Sequence, residues 1–280
     1  MSSNFKVQNL SGKKEPFSSQ KVYRSARNAG ADKALALQIT KAVEKIAYPN
    51  IKTREIFKEV KRLLRQHNFK ASLKFDLKNA MRRLGPTGFP FEKYVKSILE
   101  NNGFRTRINI YVKGRCCTHE IDFIAEKGET VYLGECKYRN LPETLVGLNI
   151  ALSNYARFLD LKQGSFFDKF SGKKIESILV TNAKFTGQSV AYSKCMDVKL
   201  LGWKYPKKQG LEKIIEQNKL YPITILPSVS IKTADVFTAK EKMLASDMLK
   251  INIKQFAGRN KLNRIELEQA KKEAKILLSD

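Results

Sequence analysis

Apolar positions follow two different rhythms along the chain. In the first eighty or so residues they recur at helical spacing. The stretch TREIFKEVKRLLRQ places Ile56, Val60, Leu63 and Leu64 on one face, with Thr53 as its N-cap. SLKFDLKNAMRRLG repeats the spacing with Leu73, Leu77, Ala80, Met81 and Leu84, and Gly85-Pro86 then stops the helix. Upstream, FKVQNLSGKKEPF reads as a hairpin turning at Ser11-Gly12, followed by helices from Ser19 and from Asp32 to about Ile46. The pattern predicts a small domain over residues 1–84, a hairpin with four helices.

From residue 85 the rhythm changes. GPTGFPFEKYVKSILENNGF predicts a helix with Pro90 in its first turn, an apolar stripe of Phe91, Tyr94, Val95, Ile98 and Leu99, and Gly103 at its end. Strand-like runs follow at 104–113, 116–125 and 131–138, then a helix over about 143–161 and a buried strand in ESILVTN. A helix over about 186–196 and a last strand in VKLLGW complete the order α-β-β-β-α-β-α-β. Strands followed by crossover helices predict an α/β fold, a mixed (α+β) sheet covered on both sides, over residues 85–222. The remainder, 223–280, is helical and lysine-rich, with Ile265, Leu267, Ala270, Ala274 and Leu277 placed to pack as a small cap. No internal repeat is present.

Charge changes this picture most. Lys and Arg number 53 against 27 acids, a net charge of +26 spread along most of the chain. Such a field favours a polyanion, because phosphate neutralisation supplies most sequence-independent affinity. The bland alternative is a solubilising lysine-rich surface. No run approaches a membrane span, and MSSNFKVQNL lacks a secretory h-region, so a cytoplasmic protein is expected, with association to the nucleoid as an open alternative. Cys116, Cys117, Cys136 and Cys195 form no CxxC pair and have no histidine at metal-ligand spacing. They read as reduced, mostly buried thiols, with no structural zinc expected.

The chemistry concentrates in HEIDFIAEKGETVYLGECKYRN. Folding these two runs back around Gly128 sets Asp122 opposite residue 134 or 135, while side-chain alternation puts Glu135 and Lys137 on one face. Paired carboxylates with open water positions suit Mg²⁺, and a metal so held polarises a phosphoryl oxygen and acidifies water. The lysine would orient that water or stabilise charge at phosphorus. Glu120, two residues before Asp122, is either a solvent-face residue or an auxiliary ligand. The competing view is decoration, since cross-strand acid–base pairs contribute only about 0.2–1 kcal/mol.

The D-x12-E-C-K spacing from Asp122 to Lys137 resembles the PD-(D/E)xK nuclease core. More specifically, LGPTGFPFEKYV, GRCCTHEIDFIAE, GECKYRN, ILVTNAKFT, AYSKC and LLGWKYP resemble, in order, successive blocks of Mrr-like restriction endonucleases that carry an amino-terminal ATP cone. The resemblance spans roughly residues 4–230. It implies a Mg²⁺- or Mn²⁺-dependent endodeoxyribonuclease acting on duplex DNA, with Glu92, Asp122 and Glu135 at the metal and Lys137 on the attacking water. For Glu92 alone, helix-dipole stabilisation, about 0.3–1 kcal/mol, is the simpler view. The family commonly has His-Asn after ECK and its aromatic residue, whereas this chain has Arg139-Asn140. His119 reads as a hydrogen-bonding residue at a strand end.

Residues 4–82 resemble the ATP cone, a nucleotide-sensing module. Its pattern is met by Val7, Gly12, Glu15, Phe17, Lys21 and Val22, which implies ATP or dATP as a regulatory ligand. The family's basic pair and acid before the glycine are replaced by Asn9, Leu10 and Ser11. Two roles therefore stay open, nucleotide sensing and a DNA-facing or dimerising platform, the latter including a homodimer. No GxxxxGK[ST] loop is present, so no motor activity is expected. Beside the nuclease stand two rivals: a non-catalytic nucleic-acid-binding regulator on a nuclease scaffold, and a repair or RNA-processing nuclease.

Overall fold

The computed structural model describes residues 5–9, 12–85, 87–141 and 144–279. Ser11 of the expected turn, Leu10, the Pro86 stop and the foreseen helix start at 143 lie outside them. No helix among the described residues is long and apolar enough to cross a membrane. The chain forms two compact units. One gathers the chain up to Arg83 with Ile223–Ala234 and the chain from Ala245 onward. The other holds Leu84–Pro222 and Asp235–Leu244. Residues 223–280 are thus shared between the two units rather than forming the separate third region that the sequence suggests.

The first unit opens with β1 (Lys6–Gln8) antiparallel to β2 (Lys14–Pro16), Val7 facing Glu15. Helix α1 (Ser19–Asn28) starts where Ser18 Oγ accepts from Lys21 N, and α2 (Lys33–Ile46) where the Asp32 carboxylate accepts from Leu35 N. In α3 (Thr53–His67), Thr53 is already helical, and the cap position falls on Lys52 without a side-chain bond, one residue before the sequence places it. The predicted fourth helix is two, α4 (Phe69–Phe75) and α5 (Leu77–Arg82). They part at Asp76, a buried carboxylate 2.7 Å from Lys61 Nζ and 3.0 Å from an Arg83 nitrogen. Two cations compensate a charge that burial would otherwise penalise, and the helix breaks around it. Val22, Ala26, Ile39, Val43, Val60 and Leu64 form the core of this unit.

The second unit begins with α6 (Phe89–Asn101), Pro90 in its first turn and Phe91, Tyr94, Val95 and Ile98 buried. Strands β3 (Arg105–Lys113), β4 (Thr118–Lys127) and β5 (Thr130–Lys137) form an antiparallel run. Next come β6 (Leu145–Val146), α7 (Leu148–Gln163) and a 3-10 turn at Ser165–Phe170. After them follow β7 (Lys174–Thr181), β8 (Lys184–Phe185), α8 (Gly187–Cys195), β9 (Lys199–Leu201) and α9 (Leu211–Gln217). The main sheet has order β3-β4-β5-β7-β9, with β5, β7 and β9 parallel, so the fold is α/β with a mixed sheet. The small parallel pair of β6 and β8 has no counterpart in the sequence expectation. Two-residue strands are too short to carry a periodicity.

The division between the units falls within α10 (Ile231–Ala239). In the second unit, Lys93 Nζ donates to Thr238 O at 3.0 Å, and Tyr94 Oη to Leu220 O at 2.8 Å, fixing α6. In the first unit follow α11 (Asp247–Lys250), α12 (Ile253–Asn260) and α13 (Arg264–Leu278). Of the five apolar positions foreseen to pack, Leu267, Ala270, Ala274 and Leu277 are buried, but Ile265 is 75% exposed. It sits in the first turn of α13, just past the Asn263 cap.

Candidate active site

The turn at Gly128 joins β4 and β5 with Phe123 facing Gly134 and Ile124 facing Leu133. A Cβ on Gly134 would lie 2.0 Å from the Phe123 ring, so only glycine lets that ring lie across β5. Pairing ends there. One residue further on, Asp122 Oδ2 accepts the backbone N–H of Cys136 at 2.6 Å, so the carboxylate takes over where the ladder stops. On the other side, the β3–β4 ladder passes from Ile108–Phe123 to Ile110–Ile121, leaving Asn109 and Asp122 between them. Asn109 has φ 54, and Ile121 and Ile124, three apart, join one apolar cluster. The register is the same on both sides, so the pairing lapses at Asp122 without an inserted residue, and its carboxylate turns toward β5 instead.

Glu135 lies on β5 just before buried Cys136, and its carboxylate accepts from the Arg157 guanidinium of α7. Glu92 enters from the first turn of α6, where the Phe91 ring stands 5.7 Å from that of Tyr138, the residue after Lys137. Thr181 Oγ1 donates to Lys137 O at 2.5 Å, and Asn182 exchanges two 2.8 Å bonds with the backbone of Arg139. The end of β7 thus clamps the chain on either side of Tyr138.

The electrostatics bring the acids together. Burial, then the charges of Glu135 and Glu92, push Asp122 up to about 7, against the opposing pull of the Cys136 N–H and of Arg157. Burial, Glu120 and Glu135 also raise Glu92. Glu120 is exposed but close enough to act on Glu92. Asp122 and Glu92, both raised beside Glu135, form with it a donor set for a hard divalent cation, which would replace the proton that burial favours. Glu135 is turned onto Arg157, and among the described residues the three acids do not form a set of mutually adjacent ligand atoms.

In the first unit, Val7, Glu15, Phe17 and Lys21 line one pocket of about 230 Å³, together with Phe57 and Phe75. The two phenylalanines stack at 4.7 Å. Gly12 is not on this wall; it takes φ 85 in the hairpin turn, and its N–H donates to Asn9 O. Lys21 Nζ is 3.0 Å from Glu15 Oε2, so the lysine facing the pocket is paired with an acid.

No protein-family profile matches the chain. An uncharacterised protein of Archaeoglobus fulgidus is 41% identical over 129 residues, covering 46% of this chain and 69% of that protein. This chain belongs to the same family. A crystal structure of a protein of unknown function, AF1548, matches 68% of this chain and 98% of its own length at 31% identity and a TM-score of 0.58. The mixed α/β architecture is common to both.

Sequence reasoning brought Glu92, Asp122, Glu135 and Lys137 to the same sheet region but missed Arg157, Asn182 and Thr181. Arg157 lies 22 residues from its partner, and Asn182 43 from its own. No local spacing encodes such contacts. The expectation of mostly buried thiols fails, since Cys116, Cys117 and Cys195 are exposed and only Cys136 is buried.

Proposed function

We propose that this protein is a divalent-metal-dependent endonuclease of duplex DNA, with a PD-(D/E)xK-type core preceded by an ATP-cone-like module. The observation that carries the reading is Asp122, raised to about 7 by its burial beside Glu135 and Glu92 at the point where β4 and β5 part. A structural ion pair does not need three acids gathered where two strands part. Glu92, Asp122 and Glu135 would hold Mg²⁺ or Mn²⁺, which when bound polarises a phosphoryl oxygen and acidifies water. Arg157 holds the Glu135 carboxylate from α7. Lys137, two residues along β5 from Glu135, would orient the attacking water. The clamp from Thr181 and Asn182 holds that strand end in place. The charge of +26 would position the phosphodiester backbone. The pocket around Phe17 and Lys21 would take ATP or dATP as a regulator.

A second reading is favoured by the Glu135–Arg157 pair: an acid already neutralised from α7 suits a non-catalytic DNA-binding scaffold. Plasmid DNA and RNA incubated with the protein in Mg²⁺ or in chelator separate the two. Mg²⁺-dependent nicking of plasmid supports the endonuclease. Cleavage confined to RNA turns the reading toward RNA processing, and binding without cleavage of either substrate leaves the scaffold.

A further inference from the structure

We propose that the tip of the β3–β4 hairpin and the C-terminal end of α7 form a binding site for a zinc-class divalent cation. Its ligands are Cys117 Sγ, His119 Nε2 and Asp160 Oδ2, with water completing the coordination. Among the described residues this is the one set of three such side chains whose ligand atoms all lie within 4.8 Å of one another.

The fold builds the site from both sides. Asp160 approaches the hairpin tip so closely that a Cβ on Gly114 would lie 2.1 Å from Asp160 Oδ2. Arg115 N donates to Asp160 O at 3.0 Å, and Gly114 N to Cys117 O at 2.8 Å, which closes the tip around the helix end. The carboxylate accepts the backbone N–H of Cys116 at 2.8 Å on Oδ1, while Cys117 N lies 3.4 Å from Oδ2. The Cys116 thiol faces the same carboxylate.

The pattern of contacts separates a cation site from a catalytic relay. In a Cys-His-Asp relay the thiol and the acid engage opposite nitrogens of the imidazole. Here both meet the same one: Asp160 Oδ2 is 2.7 Å and Cys117 Sγ 3.5 Å from His119 Nε2, with Nδ1 further from the thiol at 4.0 Å. Thiol and carboxylate therefore meet at one nitrogen, and a cation would replace the 2.7 Å hydrogen bond between His119 and Asp160. A tetrahedral zinc with sulfur at about 2.3 Å and nitrogen at about 2.0 Å separates those two donors by about 3.5 Å, the spacing of Cys117 Sγ and His119 Nε2. Thiolate with imidazole and carboxylate selects a borderline-soft ion over Mg²⁺. His119 and Asp122 are three residues apart on β4, about 10 Å along a strand, so this centre is separate from the carboxylate site. A cation here would pin the hairpin tip to α7, the helix that presents Arg157 to Glu135 one turn away.

The full-length, reduced and metal-stripped protein titrated with Co²⁺ tests the site. One equivalent should produce thiolate-to-cobalt charge-transfer absorption with intense visible bands, abolished by one equivalent of Zn²⁺. Cys117→Ser should remove the charge-transfer absorption and weaken Zn²⁺ binding about 100-fold or more. His119→Gln, which keeps a donor toward Asp160 and so preserves folding, should weaken it likewise. Glu135→Gln should leave the spectrum unchanged, so a failure here is distinguishable from a failure of the nuclease reading. Absence of the band in the unsubstituted chain, or its persistence in Cys117→Ser, overturns the proposal.

Discussion

The Asp122 carboxylate accepts the Cys136 N–H at 2.6 Å, yet its pKa is pushed up to about 7. That bond alone would lower it, so burial and the two neighbouring acids prevail. In an unfolded chain the group titrates near 4. Its folded form binds the proton more tightly, so its contribution to stability is full below about pH 4 and is lost as pH rises through about 7. Metal-free protein should therefore melt at falling temperatures between those limits, and Asp122→Asn should flatten this segment of the curve. Mg²⁺ should raise the melting temperature more at pH 8 than at pH 6, where protons compete for the same oxygens. Thermal melts in chelator and in Mg²⁺ across this range measure it. A flat profile for the unsubstituted protein would count against the coupled acids.

Asp122→Asn and Glu135→Gln each remove one negative charge and little volume. Cleavage in Mg²⁺ should fall by about 10³-fold or more, as when a group stabilising the transition state is deleted, while duplex DNA binding stays within a few-fold. Lys137→Ala should lose cleavage but keep metal binding. Plasmid nicking and a binding titration on the same preparations suffice. Nicking at the unsubstituted rate by either carboxylate variant rejects the assignment.

Arg157 opposes the upward push on Asp122. Arg157→Gln removes that cation, so Asp122 should hold its proton to higher pH. The acidic limb of the rate profile should then move to higher pH, and activity at pH 6 should suffer more than activity at pH 8.5. A uniform loss at all pH values would instead mean that Arg157 serves only to hold the fold.

The positive charge predicts salt sensitivity. A protein making several phosphate contacts loses about 10³-fold or more in affinity between 50 and 200 mM salt, and this chain, at +26, should do so for duplex DNA. A fluorescence titration at four salt concentrations yields the slope. Near-constant affinity would reduce the lysines to a solubilising surface.

The elements legible in the sequence are those with a short-range cause. The β4–β5 turn at Gly128 and the sharing of one strand by Glu135 and Lys137 follow from a two-residue period. The break at Asp76 had a visible signal, an aspartate inside an apolar helical pattern, but its cause is Lys61 and Arg83 compensating a buried charge. Asp160 carried no signal, because the turn it binds is more than forty positions away. The exposure of Ile265 was hidden because periodicity assigns a face but not the point in the first turn where packing begins.

The pocket lined by Phe17 and Lys21 ends in a paired cation. Lys21 is bound to Glu15 at 3.0 Å, and the cations common before Gly12 in ATP cones are replaced by Asn9 and its neighbours. Each missing charge-assisted bond forgoes about 1.5–3 kcal/mol when well placed. ATP or dATP should therefore bind no tighter than about 10 µM. Glu15→Gln frees Lys21 for a phosphate and should strengthen binding, whereas Lys21→Ala should abolish it. A nucleotide bound here as a regulator should change the assembly state, which sedimentation velocity with and without nucleotide reads out. Calorimetry on the three proteins supplies the affinities. Heat from neither nucleotide, with unchanged sedimentation, would make the hairpin and its helices a platform for DNA or for a second copy.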